Sequence, residues 1–173
     1  MISMTQKTSS IFAIFDLQIS HTVDIEILDK KYAELVREHH PDIFIKQSTE
    51  QQKIAEQNMA MINKAYKILS SPKLTCQYLI DQMMQNDETA EDFIDDYDIT
   101  DIMLLHYEID NIKSSTDYEI FKKKIDDFYQ IALSNAKQNI IDNNIKIARK
   151  YMNKLNFLDK ILQQTRGMKF KNE

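Results

Sequence analysis

The densest chemistry in this 173-residue chain is the string His39-His40-Pro41-Asp42, two imidazoles and a carboxylate around a proline. General-base catalysis would need a nucleophile or an orienting carboxylate beside one of the histidines, and no such partner is evident near them in the sequence. Metal binding would need ligand spacing, and the four histidines are too scattered to supply it. Display is the remaining chemistry. Pro41 cannot continue a helix and disfavours helical geometry at His40, so the chain must open there into an extended bend. On that bend a stiff backbone holds an imidazole and a carboxylate apart. Taken alone, the tripeptide also fits an ordinary interhelical loop in which Asp42 serves local backbone donors.

Two other groups of polar residues are weaker candidates. Asp92, Asp95, Asp96, Asp98 and Asp101 suggest a calcium loop, but the glycine of its sharp turn and the terminal bidentate glutamate are missing. Acids favoured at a helix start by the helix dipole account for the run more simply. A helical metal- or calcium-binding protein using His39, His40 and these acids is kept as an alternative that equilibrium dialysis would separate. Cys76 is the single cysteine, which excludes an intrachain disulfide and points to an intracellular protein.

The elements that must position these residues are helical. One glycine and two prolines leave little material for tight hairpins, and the apolar residues, within a 43% hydrophobic composition, recur at helical rather than alternating spacing. An all-α fold without sheet follows, as one domain or two small ones. A formal net charge of -5 without a long basic stripe argues against nucleic acid as the main partner. No segment has the length of a membrane span. Residues 1–10 are Ser/Thr-rich with Lys7 as the only charged side chain, and are expected to be a disordered tail rather than a transit segment.

Ile11, Phe12, Ile14, Phe15 and Leu17 predict a short helix. Asp24 can cap the next, which buries Leu28, Tyr32, Leu35, Val36 and His39 and exposes Lys30, Lys31, Glu34, Arg37 and Glu38. After the bend, Ser48 or Thr49 starts a long helix with Ile54, Met61, Ile62, Ala65, Ile68 and Leu69 inside, antiparallel to the one before. Ser71-Pro72 opens a fourth, shorter helix through Leu74, Tyr78, Leu79 and Met83.

At this point the string Tyr32-Ala33-Glu34-Leu35-Val36-Arg37-Glu38-His39-His40-Pro41-Asp42, followed by Ile62-Asn63-Lys64-Ala65-Tyr66-Lys67-Ile68-Leu69-Ser70-Ser71-Pro72, resembles a J domain. The start Ile11-Phe12-Ala13-Ile14-Phe15-Asp16-Leu17, the Phe44 after the tripeptide and the run Gln77-Tyr78-Leu79-Ile80 resemble, more narrowly, the HscB co-chaperone family. In that family the J domain is followed by a small helical bundle, and the chain has neither a Gly/Phe-rich nor a zinc-binding region. The resemblance implies that His40, Pro41 and Asp42, with Lys30, Lys31 and Arg37, engage an HscA/DnaK-class ATPase chaperone. Ile43 stands where a basic residue usually follows the tripeptide, and Thr75 or Cys76 replaces another before Gln77-Tyr78.

The acid-rich stretch 85–91 is the expected linker, dividing a J domain at 1–84 from a bundle at 92–173. In the bundle, Ile102, Leu105, Ile109 and Ile112 form one buried seam. Phe121, Ile125, Phe128, Ala132 and Ala136 form a second, on a helix from Tyr118 to about Ile141. After a break at Asp142-Asn143-Asn144, Ile147, Tyr151, Leu155, Leu158 and Leu162 form the third, giving an up-down-up three-helix bundle. The segment Asn153 to Lys160 again resembles HscB.

At roughly 100° per residue, Ile99, Met103 and Tyr107 lie away from the first seam, with Leu104 farther round. Packing against another part of the same chain is one explanation. The resemblance implies another, in which this face, with Phe157, holds an IscU-type iron–sulfur scaffold. Leu104, Tyr107 and Asn111 stand where the family has acids, so this version would rely more on burial than on charge. The expected function is therefore a co-chaperone, not an enzyme and with no resident cofactor, in the bacterial cytoplasm or an organelle matrix. The alternative within the same class is a J protein serving a different client.

Overall fold

The computed structural model describes residues 10–85 and 99–166, and these form seven helices and one short 3-10 turn with no strand among them. The expected tail to residue 9, the acidic run from 86 to 98 and residues 167–173 lie outside the described residues, as do the side chains of 85 and 99–102. Two compact units divide the chain, residues 1–78 and 79–173.

In the first unit, α1 (Ile11–Ile14) and α2 (Ile25–His39) lead to the 3-10 turn (Pro41–Phe44) and then to α3 (Thr49–Leu69). The Asp24 carboxylate caps α2 by accepting from the amides of Glu26 and Ile27, and Ser48 caps α3 in a reciprocal box with Gln51. The pairing of α2 with α3 is antiparallel, because position 29 meets 66 while position 32 meets 63. Leu28, Ile62 and Leu69 are fully buried in this unit. The inward stripe of α3 runs Ala55, Asn58, Ile62, Ala65, Leu69, whereas Ile54, Met61 and Ile68 are only half-buried. A search for large apolar residues misses a stripe built partly on alanine and asparagine.

The helix α4 (Pro72–Gln85) crosses the division between the units. Of its expected inner residues Leu79 is buried, Leu74 is exposed, and Tyr78 and Met83 are half-buried; Thr75, Cys76 and Ile80 are buried beside Leu79. The reason is a hydrogen bond. The Thr75 hydroxyl donates to the Ile68 carbonyl at 3.0 Å, beside the Ser71 amide that the same carbonyl accepts at the end of α3, and this turns a polar residue inward.

The second unit contains α5 (Ile99–Asp110), α6 (Ser115–Ile141) and α7 (Ile145–Thr165). Leu105, Phe121, Ile125, Leu158 and Ile161 form its core cluster, with Ile109, Ile112, Phe128 and Phe157 packed against it. Lys124 on α6 pairs with Glu108 on α5 at 2.6 Å, both half-buried. Along α7 the expected stripe holds at Leu155 and Leu158 but not at its ends. Ile147 is 48% exposed and Tyr151 and Leu162 are half-buried, while Ala148, Met152, Ile161 and Thr165 are inside. The cause is a change of neighbours, since the first half of α7 lies beside α6 just after the connecting turn and the second half also meets α5. The inner face rotates accordingly, and one fixed stripe cannot describe it.

With one glycine in the sequence, helix ends must be made by other residues. Asp16 after α1 and Asn143 after α6 take positive φ, 47° and 56°. Around each, the two amides fold back in the same way. Leu17 donates to the Phe12 carbonyl and Asp16 to that of Ala13; Asn144 donates to the Asn139 carbonyl and Asn143 to that of Ile140. Asparagine tolerates the left-handed region better than most residues, and a β-branched side chain does not. Asn143→Val should therefore lower the stability of the full chain by about 1–2 kcal/mol, with Asn143→Gly at or above the parental value. Urea unfolding followed by circular dichroism measures both, and equal midpoints for valine and asparagine would remove the role given to this turn.

Candidate functional site

At the end of the α2–α3 hairpin, His40 leaves the helix with φ -60° and ψ 130°, as the following proline requires, and Pro41 opens the 3-10 turn. The Ile43 amide donates to the His40 carbonyl at 3.0 Å. Phe44 is buried and fastens the turn from within. From α3, the Gln52 side-chain amide donates to the carbonyls of Ile45 and Gln47, at 3.0 and 3.1 Å. The turn is thus held from both sides.

The tripeptide is more closely joined than expected. The sequence reading has Pro41 holding His40 and Asp42 apart, but a 3-10 turn is tight, and the Asp42 amide donates to His40 Nδ1 at 3.3 Å. Asp42 Oδ2 lies 3.5 Å from the same nitrogen. These two contacts exclude each other, because a nitrogen that accepts the amide proton has no proton to offer the carboxylate. With the amide bond made, the imidazole presents Nε2–H outward and the Asp42 carboxylate stays open to solvent. The site therefore offers one donor and one exposed anion on a fixed backbone, with no nucleophile beside them.

The three basic residues assigned to this surface do not act together. Lys30 and Arg37 are two turns apart on the same outer side of α2, while Lys31 points roughly 100° away and lies 3.5 Å from the Asp16 carboxylate. Glu34 and Glu38 are exposed on the outer surface between them. Asp16 was legible in the sequence only as part of an apolar segment's end, and nothing there marks it as a partner for Lys31.

Two tyrosines lock the hairpin behind the turn. The Tyr32 and Tyr66 rings stack at 4.1 Å, Tyr32 donates to Asn63 Oδ1 at 2.9 Å, and Tyr66 donates to Asp29 Oδ1 at 2.8 Å. That hydrogen bond to a carboxylate, with lesser help from desolvation and the Asp29 charge, raises the Tyr66 hydroxyl above the ordinary phenol range. The stabilisation is complete below about pH 10 and is lost as pH rises through the raised value. At neutral pH the lock is closed.

The second candidate surface lies on the other unit. Met103 and Tyr107 are 67% and 68% exposed, and Leu104 is exposed beside them. They point away from the Leu105 side of α5. Ile99 begins the helix, with its side chain outside the described residues. Phe157 on α7 is half-buried against the core cluster and meets His106 edge-on at a centroid distance of 6.4 Å. His106, on the same helix as Met103 and Tyr107, thus meets Phe157, a contact for which the sequence carries no signal. The Asn111 side chain is turned back onto the Tyr107 carbonyl at 2.7 Å. Among the described residues, no three of His, Cys, Asp and Glu converge as a metal-binding group, and no helix is long and apolar enough to cross a membrane.

With the turn, its proline and its flanking helices in place, residues 16–78 match the DnaJ domain family. Residues 16–78 are a DnaJ domain. Beyond that domain, the structure is similar to the crystal structure of human co-chaperone protein HscB, with a TM-score of 0.80 and 21% identity over 94% of this chain and 85% of that one. It is also similar to the chaperone HscB from Vibrio cholerae, with a TM-score of 0.76 and 24% identity over 90% of this chain and 94% of that one. The DnaJ domain therefore sits within an HscB-like, all-helical fold that extends into the second unit.

The clamp on the DnaJ domain's turn can be tested apart from any partner. Gln52→Ala should speed amide exchange across residues 43–48 severalfold and lower stability by about 1 kcal/mol, with exchange in α6 and α7 unchanged. Unaltered exchange at the turn would show that Gln52 does not hold it.

Proposed function

We propose that the protein is a co-chaperone of HscB type. Its DnaJ domain stimulates the ATPase of an HscA/DnaK-class chaperone, and its C-terminal bundle presents an IscU-type iron–sulfur scaffold to that chaperone. The observation that carries this reading is the exposed Asp42 carboxylate on a braced turn within a DnaJ domain. The HscB-like fold of the remainder supports the client half of the proposal. On this reading residues 1–84 are the chaperone-binding domain, 85–91 the linker and 92–173 the client-binding bundle, working in a bacterial cytoplasm or organelle matrix.

The mechanism is one of differential binding. His40, Pro41 and Asp42 favour the partner state that hydrolyses ATP by making better contacts with it than with its competitors. No covalent step occurs on the co-chaperone itself. Lys30 and Arg37 assist the approach, weakened by Glu34 and Glu38, and Lys31 contributes less because Asp16 already faces it. Ile99, Met103, Leu104, Tyr107 and Phe157 make the scaffold surface, by burial more than by charge.

Asp42→Asn tests the first half. An exposed loop carboxylate adds little stability, whereas removing one member of a desolvated charge pair at an interface costs about 2–5 kcal/mol. Stimulation of the ATPase should largely vanish, with the helical dichroism and scaffold binding retained. An unchanged stimulation curve would withdraw Asp42 from the mechanism.

The double substitution Met103→Ala with Leu104→Ala tests the second half. Hot spots cost about 2 kcal/mol or more each, so scaffold binding should weaken well over tenfold at a near-parental melting temperature and with basal ATPase stimulation intact. A large fall in melting temperature with affinity preserved would make the strip interior packing, since emptied core sites cost roughly 2–5 kcal/mol. Absence of scaffold binding in both variant and parent, with stimulation intact, would favour a different client.

A further inference from the structure

The turn that displays Asp42 also displays two large aliphatic side chains. Ile43 is 53% exposed and Ile45 66% exposed, on either side of the buried Phe44. Isolated exposed isoleucines are ordinary on protein surfaces. These two are not isolated from the site. In a 3-10 turn, side chains three residues apart eclipse one another; Ile45 follows the last residue of the turn and keeps helical angles, φ -54° and ψ -34°, so it lies on the same side as the Asp42 carboxylate three residues before it. Ile43 projects about a third of a turn away, and Phe44 takes the remaining direction, inward. The order around the turn is therefore anion with aliphatic, aliphatic, anchor.

The geometry also restricts what can cover them. A macromolecular group that reaches the Asp42 carboxylate closely enough for a charge-assisted hydrogen bond, about 2.7–2.9 Å, must bring its surroundings over Ile43, the next residue, and Ile45, stacked beside it. The charges that flank the turn in sequence give it no net positive field. Arg37 and Lys46 are opposed by Glu38, Asp42 and Glu50, two basic residues against three acidic. The turn itself is braced by Phe44 and by the two hydrogen bonds from Gln52, so the isoleucines are held in place before any partner arrives.

We propose that Ile43 and Ile45 form an apolar shoulder that docks on the same ATPase chaperone that takes the Asp42 carboxylate. The matching partner surface has a cationic group beside an apolar depression. This inference rests on the co-chaperone reading. The shoulder supplies affinity alone, whereas Asp42 supplies the bias toward hydrolysis as well as affinity, so the two separate in a titration.

The test uses the full chain and an HscA-class ATPase. Ile43→Ser with Ile45→Ser, checked for parental dichroism, should raise the concentration for half-maximal stimulation about tenfold and leave the maximal rate near parental. Asp42→Asn, run beside it, should instead abolish the maximal rate. The factor between the parental and double-serine half-maximal concentrations should stay about the same from low to physiological salt, because the apolar contribution is not screened while the charges both proteins share are. A parental titration curve for the double variant, beside a dead Asp42→Asn, would overturn the shoulder and leave the co-chaperone reading standing. Full stimulation by Asp42→Asn would overturn both. A parental dimer in sedimentation that the double serine variant dissociates would assign the isoleucines to a second copy of the chain and overturn the proposal as well.

Discussion

Joining two antiparallel helices at a proline restricts the connection more than any other feature of the first unit. Pro41 ends α2 at His39, forces His40 into an extended conformation and starts a tight turn that buries one of its side chains. That one is Phe44. Once Phe44 is inside, Asp42, Ile43 and Ile45 have nowhere to go but outward, and the display surface is fixed by the same packing that closes the hairpin. The tyrosine stack and the Gln52 hydrogen bonds then keep the two helices and the turn in register. Stability and display have one origin here.

The second unit solves a different problem with similar means. Three helices must bury a core while one of them keeps an apolar face outside. The α6–α7 pair carries alanines at Ala132, Ala136 and Ala148, all buried, which allow close approach, and α5 is held to it by the Leu105 cluster and the Glu108–Lys124 pair. Because α5 is secured on that side, Met103 and Tyr107 can remain exposed on the other without loosening the helix. Short polar residues at the chain reversals do the work that glycine does elsewhere, as at Asn143.

Helix content, helix starts and the place of the tripeptide were legible in the sequence because they depend on local chemistry. Asp24, Ser48 and Pro72 stand at helix starts for reasons confined to one turn of chain. The inward faces of α3, α4 and α7 were less legible because their neighbours choose them. Thr75 turns inward for a carbonyl of another helix, and Ala148 replaces Ile147 inside where α7 lies beside α6. The closeness of His40 to Asp42, the Asp16–Lys31 pair and the position of His106 beside Phe157 depend on distances that no spacing rule encodes. The exposure of Met103, Leu104 and Tyr107 agrees with the sequence reading of that helix; their role rests on the proposed function.

In this account one partner reads the braced turn and another covers the strip on α5. A co-chaperone that brings a client to an ATPase should therefore do more with the client bound than without it. The most direct measurement is the hydrolysis rate of an HscA-class ATPase titrated with the full chain, with and without an IscU-type scaffold at saturating concentration. The account predicts a saturable rise with the chain alone and a larger, synergistic rise with both. A rate that stays flat across the titration, or a scaffold that competes with the chain for the ATPase, would contradict it.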